Sequence, residues 1–170
     1  SLGYYYLARG NEGINNFENA IKYYSEAILL DPKDVFSFNN RGLIKSERGN
    51  HEGAIKDFSR AINIDPNNPT ILFNRATSLN HIQDYKKAIK DFNLAIDIET
   101  GESIFWNNRG LAKYNLGDYK GAIEDYDQAI MINRNAPITL SNRGLAKGKL
   151  GDIEGALKDF NQSIKLDSYN

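Results

Sequence analysis

The sequence predicts an all-α protein built from ten antiparallel helices. Two observations carry this prediction. The motif Ala-Ile-Lys-Asp-Phe begins at Ala54 and again at Ala88, and close variants begin at Ala20, Ala122 and Ala156, so the chain repeats every 34 residues. Each repeat contains two stretches in which apolar residues recur with helical spacing. Five repeats, 1–34, 35–68, 69–102, 103–136 and 137–170, fill all 170 residues, which we interpret as a single domain.

The five copies form columns of an internal alignment, in which the residue number in the first copy serves as the repeat position. Position 20 is always Ala, position 28 is always Ile, and positions 8 and 27 are always small. Position 24 is always aromatic, and its residues are Tyr24, Phe58, Phe92, Tyr126 and Phe160. Large residues that meet small ones at fixed places indicate two closely packed helices, formed in the same way five times.

The helix pair of each repeat can be followed in chain order. Positions 4, 8 and 11 mark one face of the first helix, and positions 17, 20, 21, 24, 27 and 28 mark a wide face of the second. Position 16 is always Asn or Asp, whose side chain can cap the second helix. Gly at position 15 in three copies suits a left-handed residue that ends the first helix. These glycines are Gly49, Gly117 and Gly151.

The linkers between repeats contain the four prolines. Pro32 and Pro66 are expected to stop the second helix of their copies, and Pro69 and Pro137 to open the next first helix. Because the linkers are short, consecutive helices are expected to pack side by side in antiparallel orientation.

Composition argues against several classes of function. The net charge of −1 is unlike the basic footprint of a nucleic-acid-binding protein, and no apolar run is long enough to span a membrane. Without Cys there can be no disulfide, no Cys-ligated zinc and no thiol catalysis, and the redox compartment cannot be read. The first residues do not resemble a signal peptide, so the location is unknown with the cytoplasm favoured. The missing initial Met fits a processed protein or a piece of a longer one.

No residue pattern points to catalysis, a cofactor or a metal. His51 and His81 fall at positions 17 and 13, on different helices of different repeats, and are expected to be surface or packing residues. The sequence therefore predicts a protein that is not an enzyme.

The residues at the packing positions resemble those of a known family. In the fourth copy, positions 4, 8, 20, 24 and 27 hold Trp106, Gly110, Ala122, Tyr126 and Ala129. With these residues and its period, the whole chain resembles the tetratricopeptide repeat (TPR) family. The Pro that the family favours at position 32 is replaced by Thr100, Arg134 and Ser168 in the last three copies. The resemblance implies a right-handed α-solenoid, or TPR superhelix, with first helices on its concave face and second helices on its convex face.

Candidate binding residues lie on the first helices, at positions 2, 5, 6 and 9, opposite the side that packs on the second helix. Position 6 is Asn in four copies, and an amide can both donate to and accept from a peptide unit. The candidate residues are the amides Asn39, Asn40, Asn74, Asn107, Asn108 and Asn142 and the apolar residues Phe36, Leu43, Phe73, Ile104, Leu111, Ile138 and Leu145. We expect a protein or peptide segment in the concave groove, as the resemblance also implies. The alternative is that these Asn residues only satisfy the backbone or neighbouring repeats.

One specialised ligand class is disfavoured. Cochaperone members of the family grip a C-terminal carboxylate with Lys, Asn and Arg at fixed positions of three copies. Here those places hold Tyr5, Arg9, Asn40, Thr70 and Asn74, and only Asn40 fits.

Ion pairs are predicted between the two helices of four repeats. Arg at position 7 occurs together with Asp at position 23, whereas the first copy combines Leu7 with Tyr23. The predicted pairs are Arg41–Asp57, Arg75–Asp91, Arg109–Asp125 and Arg143–Asp159. Being partly exposed, each is expected to contribute about 0.2–1 kcal/mol.

The last repeat suggests association at the end of the array. Its second helix keeps Leu157, Phe160 and Ile164 at positions that inner copies cover with the next repeat. Since solenoids usually finish with a polar capping helix, we expect the native chain to continue or its ends to self-associate. This leaves a second possible function open, a structural, oligomerising or targeting arm of a larger multidomain protein.

Overall fold

The computed structural model describes residues 1–167, which form ten α-helices and no strand. The helices are α1 (Leu2–Gly13), α2 (Phe17–Leu30), α3 (Val35–Glu47), α4 (His51–Ile64), α5 (Pro69–His81), α6 (Tyr85–Ile98), α7 (Ser103–Leu116), α8 (Tyr119–Ile132), α9 (Pro137–Lys149) and α10 (Ile153–Asp167). Every second helix begins at position 17 of its repeat, so the predicted all-α class and the period are confirmed. Ser168 lies outside the described residues.

The chain divides into two compact units, unit 1 (Ser1–Gln83) and unit 2 (Asp84–Asn170). In unit 1, α1 to α5 pack in chain order, each helix on the next, and in unit 2 α6 to α10 do the same. The division falls inside the third repeat, and the single domain expected for residues 1–170 stays a prediction.

The turn inside each repeat depends on positions 15 and 16. Gly49, Gly117 and Gly151 adopt left-handed φ angles of 79°, 91° and 84°, as predicted. Asn15 and Gln83 adopt φ angles of 58° and 64° at the same position without the freedom of glycine. The residue at position 16 then caps the second helix. Asn50 Oδ1, for example, accepts from Gly53 N at 2.9 Å, and Asp118 Oδ1 accepts from Gly121 N at 3.0 Å.

The prolines have the predicted places, but two of them are not needed. Pro69 and Pro137 are the first residues of α5 and α9. Helices α2 and α4 end at position 30, ahead of Pro32 and Pro66, and α6 and α8 end at the same position with Thr100 and Arg134 in place of that proline. Pro32 and Pro66 therefore follow helix ends that form at the same position without a proline.

The cores combine fully buried aromatic rings with small residues. In unit 1, Tyr24 packs with Ala8 and Ala20, and Phe58 packs with Ala54 and Ala61. In unit 2, Tyr126 packs with Ala122 and Ala146. A Cβ atom on Gly110 would lie 2.7 Å from Tyr126 Cε1, so at the present distance between α7 and α8 an alanine would fit there only if the ring moved.

Three of the predicted ion pairs are present, each between the two helices of one repeat. Arg41 binds Asp57, Arg109 binds Asp125 and Arg143 binds Asp159, each through Nε and Nη2. Arg75 and Asp91 belong to different units, and their pairing stays a prediction.

The expectation that these pairs are partly exposed is wrong. The side chains of Asp57, Asp125 and Asp159 are only 5%, 3% and 2% exposed. Position 11 supplies a second cation that covers the same carboxylate. Its contacts are Lys45–Asp57 at 2.7 Å, Lys113–Asp125 at 2.9 Å and Lys147–Asp159 at 2.8 Å. Each site is thus a buried Arg–Asp–Lys triad.

The arginines also tie successive repeats together. Nη1 of Arg41 donates to Ser25, that of Arg75 to Ser59 and that of Arg109 to Asn93, always at position 25 of the preceding repeat. In the last repeat, Arg143 Nη1 binds Asp127 at 2.6 Å. These arginines therefore bond to the second helix of their own repeat and also connect that repeat to the preceding one.

Candidate functional site

The candidate residues lie on the first-helix surface, which we define in each unit as positions 2, 5, 6 and 9 of the first helices. Successive first helices contact each other directly, α3 with α5 in unit 1 and α7 with α9 in unit 2. Their side chains at positions 5 and 6 consequently come within hydrogen-bonding distance from one repeat to the next.

Unit 1 presents the amides Asn39, Asn40 and Asn74, all half-buried. Asn74 Nδ2 donates to Asn39 Oδ1 at 3.0 Å, and Asn39 Nδ2 donates to Asn40 Oδ1 at 3.2 Å. Asn40 Nδ2 donates to the hydroxyl of Tyr5 at 3.4 Å. These bonds hold the amide planes in one orientation and link three successive first helices.

Unit 2 presents the amides Asn107, Asn108 and Asn142, also half-buried. Asn142 Nδ2 donates to Asn107 Oδ1 at 3.2 Å, which repeats the Asn74–Asn39 bond 68 residues later. Asn108 instead donates to the carbonyl of Ile104 in its own helix, at 2.9 Å. The residue at position 5 of the preceding repeat is Phe73, whose side chain offers no oxygen.

Apolar side chains flank both amide rows. Leu43 and Phe73 of unit 1 and Leu111 of unit 2 are half-buried. Four others are strongly exposed, namely Phe36 (70%), Ile104 (49%), Ile138 (72%) and Leu145 (51%). Apolar side chains left in water next to oriented amides are a surface suited to an apolar or peptide ligand.

Bonds between neighbouring repeats are present for Asn40, Asn74 and Asn142, whereas binding of a ligand by the amides stays a prediction. The amides also keep free hydrogen-bonding capacity. Within residues 1–167, Oδ1 of Asn74, Asn108 and Asn142 accepts no hydrogen bond from the protein. The positions of these residues can be predicted from the sequence, but the bond between position 6 of one repeat and position 5 of the preceding one cannot.

The two histidines lie close together although they belong to different repeats. Their rings stack at 4.5 Å between centroids with an interplanar angle of 2°. His51 begins α4 and His81 ends α5, and since these helices are antiparallel neighbours their two ends meet. Burial, followed by the nearby His81, lowers the pKa of His51. Residues 1–167 contain no group of three His, Cys, Asp or Glu side chains able to hold a metal ion.

The part of the chain that the structure describes contains no helix with the length and apolar character needed to cross a membrane.

Solved structures with the same fold are known. The chain is similar to a crystal structure of MamA (TM-score 0.92, 21% identity, covering 96% of this chain and 95% of that one). It is also similar to MamA 41-end from Desulfovibrio magneticus RS-1 (TM-score 0.94, 17% identity, covering 98% and 94%). A third similar structure is YrrB, described as a TPR protein with an unusual peptide-binding site (TM-score 0.84, 18% identity, covering 96% and 84%). At these identities the likeness concerns the fold alone. No curated protein matches the sequence.

Sequence families match nearly every part of the chain. Residues 103–136 match the family described as Tetratricopeptide repeat, and residues 42–79 match that described as TPR repeat. A further Tetratricopeptide repeat family matches residues 4–34, 69–100 and 139–170, more than half of the sequence. Together with the ten helices and their period, these matches show that the chain belongs to the tetratricopeptide repeat family, whose repeats typically serve as non-catalytic scaffolds for protein interactions.

Proposed function

We propose that the chain is a peptide-binding module that holds an extended segment of a partner protein in a concave groove formed by its first helices. The amide rows read the main chain of that segment, and the flanking apolar residues hold its side chains. Because main-chain recognition tolerates many sequences, the module favours an extended shape and apolar spacing over a strict motif. A single extended segment buries less area than a standard protein interface, and we expect an affinity of about 1 μM.

The observation that carries the proposal is the spare hydrogen-bonding capacity of oriented amides. Asn74 and Asn142 are fixed by bonds from Nδ2 to the preceding repeat, while their Oδ1 atoms remain able to accept from a peptide N–H. An amide that is already oriented loses little side-chain entropy when the ligand binds. Exposed Phe36, Ile138 and Leu145 then supply apolar area next to these acceptors.

Asn108 offers the sharpest test because its hydrogen bond runs within its own helix. Ligands are first selected from an unbiased library of extended peptides, and their affinities are measured by isothermal titration calorimetry. Asn108→Ala is expected to weaken binding by about 0.5–1.5 kcal/mol with little change in the free energy of unfolding. The matched control is Asn63→Ala, since Asn63 is exposed on α4, a second helix. Equal affinities for the two variants would contradict the proposal.

A second function, self-association, is favoured by the exposed face of α10. Ile153, Leu157 and Ile164 are 60%, 57% and 63% exposed, whereas Tyr119 and Ile123, at the corresponding places of α8, are half-buried beside α9. A cavity of about 320 Å³, lined by Leu145, Leu157 and Phe160 among others, lies beside this face. We propose that a second copy of the chain covers it.

Sedimentation velocity at several protein concentrations tests this second function. Leu157→Lys is expected to abolish any concentration-dependent association. Leu29→Lys is the control, because Leu29 is 74% exposed on α2, at a position that the solenoid stacking does not use. A wild-type chain that stays monomeric at all concentrations would rule out self-association through α10.

A further inference from the structure

A cavity of about 380 Å³ opens at the beginning of unit 1, between the start of α1 and the loop that joins α2 to α3. Its lining includes three aromatic rings, those of Tyr5, Tyr6 and Phe36, and two carboxylates, those of Asp31 and Asp34. We call these five residues the aromatic–acidic cavity. Its volume lies within the range of roughly 300–1,000 Å³ that is typical of ligand sites.

Two rings of the aromatic–acidic cavity are exposed, those of Tyr6 and Phe36, and the ring of Tyr5 is half-buried. Tyr6 is 64% and Phe36 is 70% exposed. Tyr5 contacts Tyr6 edge to face, with 5.6 Å between ring centroids, and its hydroxyl accepts from Asn40 Nδ2. The faces of such rings attract cations. Arg9, one turn further along α1, is paired with Glu12 at 3.5 Å.

The two carboxylates carry charge that no side chain of residues 1–167 neutralises in an ion pair. Asp31 Oδ1 accepts from Lys33 N at 3.0 Å, and Asp34 accepts from Ser37 N at 3.1 Å and from Ser37 Oγ at 2.6 Å. These bonds shape the loop and cap α3, but each partner is a neutral group. A half-buried carboxylate with spare lone pairs favours a cationic ligand.

The next repeat contains a corresponding cavity whose lining residues are uncharged. It measures about 230 Å³ and is lined by Phe36, Asn39, Asn68 and Thr70 among others. Asp65, which stands where the first repeat has Asp31, is not among them and accepts from Asn68 Nδ2 at 3.0 Å. Asn39 stands where the first repeat has Tyr5, and Asn68 stands where it has Asp34. The combination of aromatic rings and carboxylates is therefore particular to the first cavity and is not a general property of the repeat.

We propose that the aromatic–acidic cavity binds the side chain of a lysine or arginine carried by the segment on the first-helix surface of unit 1. The aliphatic stem of that side chain packs on Tyr6 and Phe36, and its charged group lies against the rings and the carboxylates of Asp31 and Asp34. This inference rests on the proposed function and adds to it the chemistry of one ligand position.

The double variant D31N/D34N removes the charge while keeping the local structure, because the chain already contains both asparagine forms. Asn68 Oδ1 caps α5 by accepting from Ile71 N at 3.3 Å, as Asp34 caps α3. Asn133 Oδ1 accepts from Asn135 N at 3.0 Å, as Asp31 does from Lys33 N. Circular dichroism and thermal unfolding of the variant are expected to match those of the wild type.

The probes are two blocked tripeptides, acetyl-Gly-Lys-Gly-amide and its neutral analogue with norleucine, titrated into ¹⁵N- and ¹³C-labelled protein and followed by NMR. Because Ser1 also borders the cavity, N-terminally acetylated protein is titrated in parallel so that no α-amino group competes. We expect shifts at the rings of Tyr5, Tyr6 and Phe36, with the lysine peptide binding about threefold to tenfold more tightly than the norleucine peptide. In D31N/D34N this preference is expected to disappear, and in Phe36→Ala both peptides are expected to bind more weakly.

Equal binding of the two tripeptides to acetylated wild-type protein, or a lysine preference that survives in D31N/D34N, would overturn the inference. The tripeptides also separate its failure from that of the proposed function. If library peptides bind through Asn108 but the lysine preference is absent, only the cavity assignment fails. If no library peptide binds while the tripeptides show the preference, the cavity binds cations and the peptide-groove function fails.

Discussion

Arg41 and Asp57 form a bidentate pair in which Nε donates to Oδ2 at 2.9 Å and Nη2 donates to Oδ1 at 2.6 Å. Lys45 contacts the same carboxylate at 2.7 Å. The two cations are mostly covered, with side chains 16% and 21% exposed. The carboxylate is therefore what allows two positive charges to lie side by side between α3 and α4.

Removing this carboxylate is expected to destabilise the protein strongly. Asp57→Ala leaves Arg41 and Lys45 close together and without their counter-ion, and should lower the free energy of unfolding by about 3 kcal/mol. Asp127→Ala is the matched control, because Asp127 also pairs with an arginine at 2.6 Å but is 51% exposed. Its cost should stay below about 1 kcal/mol. Urea denaturation distinguishes the two, and similar losses would show that burial does not decide the strength of these pairs.

Acid should weaken the same kind of site in the last repeat. Burial raises the pKa of Asp159, but hydrogen bonds and charge from Arg143 and Lys147 outweigh it and bring the pKa below its ordinary value. A carboxyl group whose pKa is lowered by folding stabilises the protein above its unfolded pKa of about 3.9, and this contribution is lost as the pH falls through the folded value. Urea denaturation between pH 6 and pH 2.5 should show a smaller acid loss in Asp159→Asn than in the wild type. The same acid loss in both proteins would contradict the assignment.

Removing the hydroxyl should change the free energy of unfolding in opposite directions at the two buried tyrosines of position 24. Tyr24 donates to Glu12 Oε2 at 2.8 Å, whereas the buried hydroxyl of Tyr126 has no hydrogen-bond partner within residues 1–167. Position 12 of the fourth repeat is Tyr114, which brings no carboxylate. Tyr126→Phe should raise the free energy of unfolding by about 1 kcal/mol, and Tyr24→Phe should lower it by a similar amount. Thermal and chemical unfolding of both variants measure this, and a loss of stability in Tyr126→Phe would show that its hydroxyl is satisfied in solution.

The stacked histidines should make the stability of unit 1 depend on pH. Folding lowers the pKa of His51 below its ordinary value of about 6.5. The unfolded chain therefore binds more protons than the folded protein just below pH 6.5, and the free energy of unfolding should fall as the pH drops below that point. His51→Tyr removes the titrating group and uses the residue found at position 17 of the third and fourth repeats. The variant should show a flatter stability profile between pH 7 and pH 5. An unchanged profile would mean that His51 does not contribute to this dependence.

The left-handed residue at position 15 offers a stabilising substitution. Gln83 adopts φ 64°, where three other copies place glycine. A residue with a Cβ atom pays about 1 kcal/mol in this conformation, so Gln83→Gly should raise the melting temperature. Asn15→Gly should gain less, because asparagine tolerates the left-handed region better than glutamine. Differential scanning calorimetry ranks the two variants, and a larger gain for Asn15→Gly would contradict this reasoning.

The helices could be predicted from the sequence because each column constrains a residue type in five places. Position 20 is always alanine and position 16 always a capping residue, so the start of every second helix can be predicted to the residue. The burial of Asp57 could not be predicted from its own column, because it depends on Lys45, which lies in another column and approaches only when α3 packs on α4.

The residues of the candidate site could be predicted from the sequence, but the hydrogen bonds between them could not. Column 6 identifies Asn74, but its bond to Asn39 depends on the distance between successive first helices, which no column records. The aromatic–acidic cavity was missed for a related reason. Asp31 and Asp34 lie in a linker, and only the folded loop brings them beside Tyr5. A signal was present nonetheless, since the first repeat is the one that combines Tyr at positions 5 and 6.

The bonds between repeats have a consequence for how such a gene can change in length. They join residues a constant distance apart, 16 residues from arginine to position 25 and 35 residues between amides. Duplication of any 34-residue stretch, wherever its ends fall, recreates both spacings at the new junction. An insertion inside a helix, unless its length is a multiple of 34 residues, shifts one partner of each such bond that crosses it out of register. The array can therefore lengthen by whole periods through unequal recombination, without a new interface having to evolve at the seam.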